Sequence, residues 1–156
     1  MKRFVPRIAA VLFLVVAGTL APASAEDRPF KASGQGLVAH NSYQDILIGR
    51  GEATHLGRTF LRVDLDSGFL DSGIFIPSVA GSLTSASGEL LYFHFDKEFY
   101  IFDTATGVVS ATLTFTGAFS TGRFQDATGS ADVMFVFDPN SGYQSFRFLI
   151  DGSIDY

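Results

Sequence analysis

The chain has no cysteine, no tryptophan, only three histidines, and no cluster of Lys or Arg after residue 7. Without cysteine there is no disulfide framework, no lipoprotein anchor and no thiolate ligand for a metal. His40, His55 and His94 fall in separate segments without metal-ligand spacing, so no metal site and no cofactor are expected. The Gly-x-Ser-x-Gly elbow of serine hydrolases is missing. Gly34-Gln35-Gly36 lacks the strand-turn-helix setting of a nucleotide loop. No basic patch is available for a phosphate backbone, which excludes nucleic acid as a partner.

What the N-terminus does contain is a charged leader. Lys2, Arg3 and Arg7 precede the apolar run Ile8 to Leu20 and then "APASA". That run is shorter than the roughly 20 apolar residues a membrane-spanning helix needs, and Ala23-Ser24-Ala25 supplies the small residues of a signal-peptidase site. Residues 1–25 are therefore expected to be a cleaved signal peptide, and residues 26–156 a single secreted or periplasmic domain. Losing three basic residues takes Lys plus Arg from 11 to 8 against 16 acids, a formal charge of −8. An anionic membrane surface is disfavoured for the same reason as nucleic acid.

Seventeen phenylalanines and sixteen glycines set the character of the rest. After Glu26 no apolar stripe with helical spacing is sustained, and period two recurs instead. In "ATLTFTG" Ala111, Leu113 and Phe115 alternate with threonines. In "ADVMFVFD" Val133, Phe135 and Phe137 share a face. In the closing "SFRFLIDGSIDY" Phe146, Phe148, Ile150, Gly152, Ile154 and Tyr156 do so against Arg147, Asp151 and Asp155. "DTATG" (Asp103–Gly107) and "DPNSG" (Asp138–Gly142) begin with a turn-capping Asp and end on a Gly suited to positive φ, so consecutive strands should be antiparallel. The pattern predicts strands near 31–40, 44–56, 58–66, 72–77, 89–96, 98–103, 108–117, 130–138 and 144–155, with an irregular stretch from Pro77 to Gly88. Eight or nine short strands without a covering helix predict an all-β fold, an antiparallel barrel, with a β-sandwich as the alternative.

"GEATHLGRTF" (Gly51–Phe60), "SGELLYFHF" (Ser87–Phe95), "TGRFQDATGSA" (Thr121–Ala131) and "FRFLIDGSIDY" resemble, in order, segments of a family of small secreted bacterial proteins of unknown function with ATHLG and GTGRF-x-x-ATG motifs. The Gly-x-Phe-x-x-Ala-x-Gly element also resembles that of the dirigent and allene oxide cyclase barrels. The resemblance implies an eight-stranded antiparallel barrel with an apolar interior. Ser87-Gly88-Glu89 departs from the Asn-Gly-Asp usual in the bacterial family, and "LDSGFLDSGIFIPSVAGS" replaces a compact loop. The polar catalytic residues of the plant proteins do not map onto motif positions here.

In "TGRFQDATG", Gly122 and Gly129 are expected to make tight turns, Phe124 to fold back as an apolar plug, and Ala127 to be small because another strand passes close by. Arg123 would reach a carboxylate or line the barrel mouth. His55 shares a strand face with Ala53 and Gly57 if the strand runs through it, and could act as acid or base. The competing role is a histidine whose ring bonds backbone at a bend. His94 is expected on the solvent face opposite Phe93 and Phe95. Asp64, Asp66 and Asp71 depart from the EF-hand spacing and are expected to form a solvated loop rather than a calcium site.

Three functional classes follow. The favoured one is a non-enzymatic secreted barrel that binds a small hydrophobic ligand, with Phe115, Phe135 and Phe148 lining the site, or serves as an interaction module. The second is a cyclase-like or isomerase-like enzyme that steers charge with His55, Arg58 or Arg123. The third is an outer-membrane barrel, because the terminal alternation ends on an aromatic residue. Against it stand the missing tryptophan girdle, strands short for the roughly 9–11 residues needed to span, and a polar second face.

Overall fold

In the computed structural model, residues 27–40, 44–66, 80–95, 101–103 and 106–156 are described. The period-two segments form nine antiparallel strands: β1 (Arg28–His40), β2 (Gln44–Ala53), β3 (Gly57–Asp66), β4 (Ala80–Ser85), β5 (Leu90–Phe95), β6 (Ile101–Asp103), β7 (Val108–Thr116), β8 (Thr128–Phe137) and β9 (Ser145–Asp155). Their order is β5-β4-β3-β2-β1-β9-β8-β7-β6, and β5 also pairs with β7, which closes the sheet. Along β7, β5 takes Leu113–Thr116 and β6 takes Val108–Ser110, so these two strands lie end to end in one position of the ring. The result is a closed eight-stranded antiparallel barrel, as the alternation predicts, and not a sandwich.

The alternating residues point inward and fill the interior with rings. Phe30, Phe93, Phe115, Phe124, Phe137 and Phe148 are fully buried, together with Leu47, Leu61, Leu83, Leu91, Leu113 and Ile154. Contacts run from Phe93 to Phe95 (5.6 Å between centroids), Phe95 to Phe135 (6.4 Å), Phe135 to Phe146 (5.8 Å) and Phe146 to Phe148 (6.4 Å). Each ring removed from water contributes about 1.5–3 kcal/mol. Glycines face them. A Cβ added at Gly34 would lie 2.6 Å from the Phe148 ring, one at Gly36 2.6 Å from Phe146, and one at Gly81 2.5 Å from Phe93. The rings lie directly on bare backbone, where even a methyl group would collide.

One end of the barrel is capped by the stretch from Gly117 to Ala127. Phe124 and Ala127 are both fully buried, and Gly122 (φ 63°) and Gly129 (φ 128°) take conformations that side chains disfavour. The stretch also finishes the seam between β5 and β7. Ser120 Oγ accepts from the Tyr92 amide at 2.9 Å, Thr121 Oγ1 accepts from the Leu90 amide at 2.9 Å, and the Thr121 amide donates to the Leu90 carbonyl at 2.9 Å. Side chains thereby satisfy strand groups that β7, ending at Thr116, does not reach.

Two expectations change. The stretch 77–88 is not wholly irregular, because Ala80–Ser85 forms β4 with Gly81, Leu83 and Ser85 buried. Its Gly and Ser content reads as loop, yet the small residues are what the Phe93 ring requires. The strand predicted over 44–56 stops at Ala53; Thr54–Leu56 turn and β3 begins at Gly57, so His55 is a turn residue and not a member of a strand face. The predicted strand 72–77 and Asp71 lie outside the described residues, as do residues 1–26.

The two corner glycines meet different neighbours. At Gly129 an added Cβ would lie 2.3 Å from the Ser153 carbonyl oxygen, whereas at Gly122 it would meet the Glu89 side chain at 2.8 Å. Backbone cannot yield and a carboxylate can swing away. Gly129→Val should therefore lower stability by about 2–3 kcal/mol and Gly122→Val by about 1–2 kcal/mol. Chemical denaturation of both variants checks the order; equal melting of the two with wild type would reject the corner geometry.

Candidate functional site

Two of the three polar residues singled out from the sequence meet at the capped end. His55 has a left-handed backbone (φ 68°) in the β2–β3 turn, followed by Gly57 at φ 66°. Its Nε2–H donates to the Pro29 carbonyl at 3.0 Å, a bond that fixes the tautomer because a carbonyl can only accept. Its ring edge packs on Tyr156 at 5.6 Å. Arg123 donates from Nη2 to the His55 carbonyl oxygen, and the same Nη2 lies 3.3 Å from Glu89 Oε2. The Arg123 guanidinium also covers the Phe124 ring at 5.0 Å, while Arg28 covers Tyr156 at 4.7 Å.

Tyr156, the last residue, is thus held by His55, Phe124, Arg28 and Arg123. Every polar contact in this cluster ties one chain segment to another: β1 to the β2–β3 turn, and that turn to the corner. Arg58 stands apart, exposed on the outer face of β3 in register with Glu52. The structure therefore joins His55 to Arg123 and leaves Arg58 elsewhere. Glu89 and Arg28 have no sequence signal of their own, and Tyr156 is marked only as the end of the β9 alternation; their roles emerge once the ends of β1, β5 and β9 are brought together.

The three aromatic candidates lie inside. Phe115 packs its ring on Phe30 at 4.9 Å, Phe135 contacts Phe95, Phe137 and Phe146, and Phe148 contacts Phe146. His94 is exposed, as expected from its alternation. Among the described residues no three His, Asp or Glu side chains converge as a metal site would require. Asp64 instead pairs with Arg62 on its own strand.

A concavity of ligand size lies outside the barrel. An open groove of about 1050 Å³ crosses the outer face of β1, β2, β8 and β9, bordered by Phe60 of β3. Its floor includes backbone at Gly36 and Gly49, and its walls include Leu37, Ile48, Arg50, Phe60 and Arg147. Leu37 is 64% exposed, Ile48 36% and Phe60 39%, although all three lie on the face expected to be wet. Single exposed apolar residues are ordinary; these are neighbours by register, Leu37 opposite Ile48 and Arg50 opposite Phe60. Arg62, nearby, is neutralised on its own strand: its Nη2 donates to Asp64 Oδ1 at 2.7 Å and its Nε to Oδ2 at 3.0 Å. That carboxylate holds the Arg62 pKa above its ordinary value.

If His55 is a structural latch, its backbone and ring contributions separate by substitution. His55→Ala loses the ring and keeps the strained conformation, whereas His55→Gly loses the ring and relieves the strain. The Gly variant should be more stable than the Ala variant by about 1 kcal/mol. Thermal melting of the pair checks this, and a more stable Ala variant would contradict it. Comparison with family models, with characterised proteins and with solved structures finds no match to the chain.

Proposed function

We propose that the chain is an exported, non-catalytic binding module whose contact surface is the outer groove and not the barrel interior. The packing of Phe146, Phe148 and Phe93 onto glycine backbone carries this reading, because a ligand inside would have to displace rings that already lie against the strands beside them. The groove, by contrast, joins exposed apolar side chains to polar ones in a concavity of ligand-binding size. His55 and Arg123 support the same conclusion, since their polar groups are engaged in holding the capped end. The charged leader supports export, and the charged outer rows, with Lys31, Asp132, Asp151 and Arg147 exposed, support a barrel that faces water.

The test is an uncharged hydrophobic dye titrated into the folded protein. Leu37→Asp or Ile48→Asp should weaken its binding about tenfold or more, with melting temperature changed by no more than about 2 °C, because both side chains stand outside the core. Phe135→Leu, which thins the interior, should leave binding unchanged. Binding that responds to Phe135→Leu and ignores Leu37→Asp would place the ligand inside and overturn the reading.

A further inference from the structure

We infer that the groove is built for a single-chain anionic amphiphile, with the acidic head on Arg50 and Arg147 and the tail along the β1–β2 hairpin. The inference rests on the groove reading above and adds the ligand's chemical class. Two rows of side chains carry it.

The first row is polar. Gln35 of β1 pairs in register with Arg50 of β2 on one side and Arg147 of β9 on the other. Their neighbours along each strand, Gly34 and Gly36, Gly49 and Gly51, and Phe146 and Phe148, belong to the inner face, so all three side chains share the outer face. Two strand spacings put the Arg50 and Arg147 backbones about 10 Å apart with an amide between them. Long guanidinium side chains span that distance, and each offers the paired N–H donors that match a carboxylate, sulfate or phosphate. Neither arginine makes an ion pair with any described residue, whereas Arg62, Arg123 and Lys31 are paired with Asp64, Glu89 and Asp151. In a chain of formal charge −5, unneutralised cations side by side over a groove fit an incoming anion.

The second element is apolar and continuous with the first. From Gln35–Arg50 towards the hairpin tip, the outward pairs are Leu37–Ile48 and then Ala39–Ile46. The track from Gln35 to Ala39 is about 14 Å long. Past Arg50 it carries no charged side chain on these two strands, the Arg62–Asp64 ion pair of β3 stands beside Ile48 and Ile46, and Leu37 is its most exposed member. Head and tail sites thus lie in line, at a spacing that one acyl chain with one acidic head can span. A neutral hydrophobe would leave the arginines unused, and a bare anion would leave Leu37 and Ile48 in water.

The experiment compares sodium dodecanoate, uncharged 1-dodecanol and inorganic phosphate as competitors of the hydrophobic dye, below the micellar range. The wild type should bind dodecanoate about tenfold or more tightly than dodecanol. The Arg50→Gln/Arg147→Gln variant should bind the two equally, with unchanged melting. Phosphate alone should not displace the dye, and added salt should weaken dodecanoate only. Equal wild-type affinity for both chains, or a preference that survives in the double variant, would overturn the anion inference while leaving the groove reading intact. Displacement by phosphate as strong as by dodecanoate would overturn the amphiphile. Binding of an acidic, leucine-containing peptide in the groove without binding of dodecanoate would overturn it too. If no competitor and no dye binds in a manner sensitive to Leu37→Asp, the groove reading itself fails.

Discussion

The sheet becomes a ring at one short contact, where Tyr92–Phe95 of β5 pairs with Leu113–Thr116 of β7. An edge left open would expose unpaired backbone groups and, behind them, Phe93, Phe95 and Phe115. The ladder alone is too short to satisfy the start of β5. The stretch after β7 completes it by bending back so that Ser120 and Thr121 take the amides of Tyr92 and Leu90. Gly122, Phe124, Ala127 and Gly129 are therefore parts of one closure. So is the cluster of His55, Arg123, Glu89 and Tyr156, which holds the corner against the β2–β3 turn. Both His55 and Arg123 make their polar contacts within this closure.

The pairing of phenylalanine with glycine explains the interior and bears on the exterior. Large rings on β9 and β5 need the space that Gly34, Gly36 and Gly81 leave on the strands beside them, so the core is filled by opposing large and small residues. The same omission of side chains lets strands bend and approach closely. Gly36 and Gly49 form part of the groove floor, directly behind the place where inner rings press on backbone. The glycines that receive the inner rings are among those that border the concavity outside.

Much of the fold is legible in the sequence because it depends on local pattern. Period two, Asp-to-Gly turns and the bracketed Arg-Phe corner each lie within a dozen residues, and β7, β8, β9, the Asp138 cap and the buried Phe124 follow from them. β4 is harder, since its alternation of Gly81, Leu83 and Ser85 is too small to stand out from a Gly-Ser loop. The turn at His55 is hard to read because its left-handed backbone falls on a histidine, a residue that does not mark turns, with Gly57 as the one turn signal beside it. The groove could not be read at all from one strand at a time. Periodicity assigns Arg50, Gln35 and Arg147 to the outside of three strands, but only register sets them in one row, and that register spans nearly the whole chain.

The sign of the whole molecule and the sign of the groove are opposite, and the two act over different ranges. At physiological ionic strength fields are screened within about 8 Å. A polyanion, a nucleic acid or an anionic bilayer alike, would have to meet a broad surface and would be opposed by the net negative charge of the chain. A small ligand with one acidic head needs only the space above Arg50, Gln35 and Arg147. In the proposed position it would lie within a screening length of both guanidiniums, with its tail over Leu37 and Ile48, which are opposite in register. On the proposed reading, an acidic protein can refuse extended anions and still accept a compact one, through two cations that no described residue pairs, beside an apolar track.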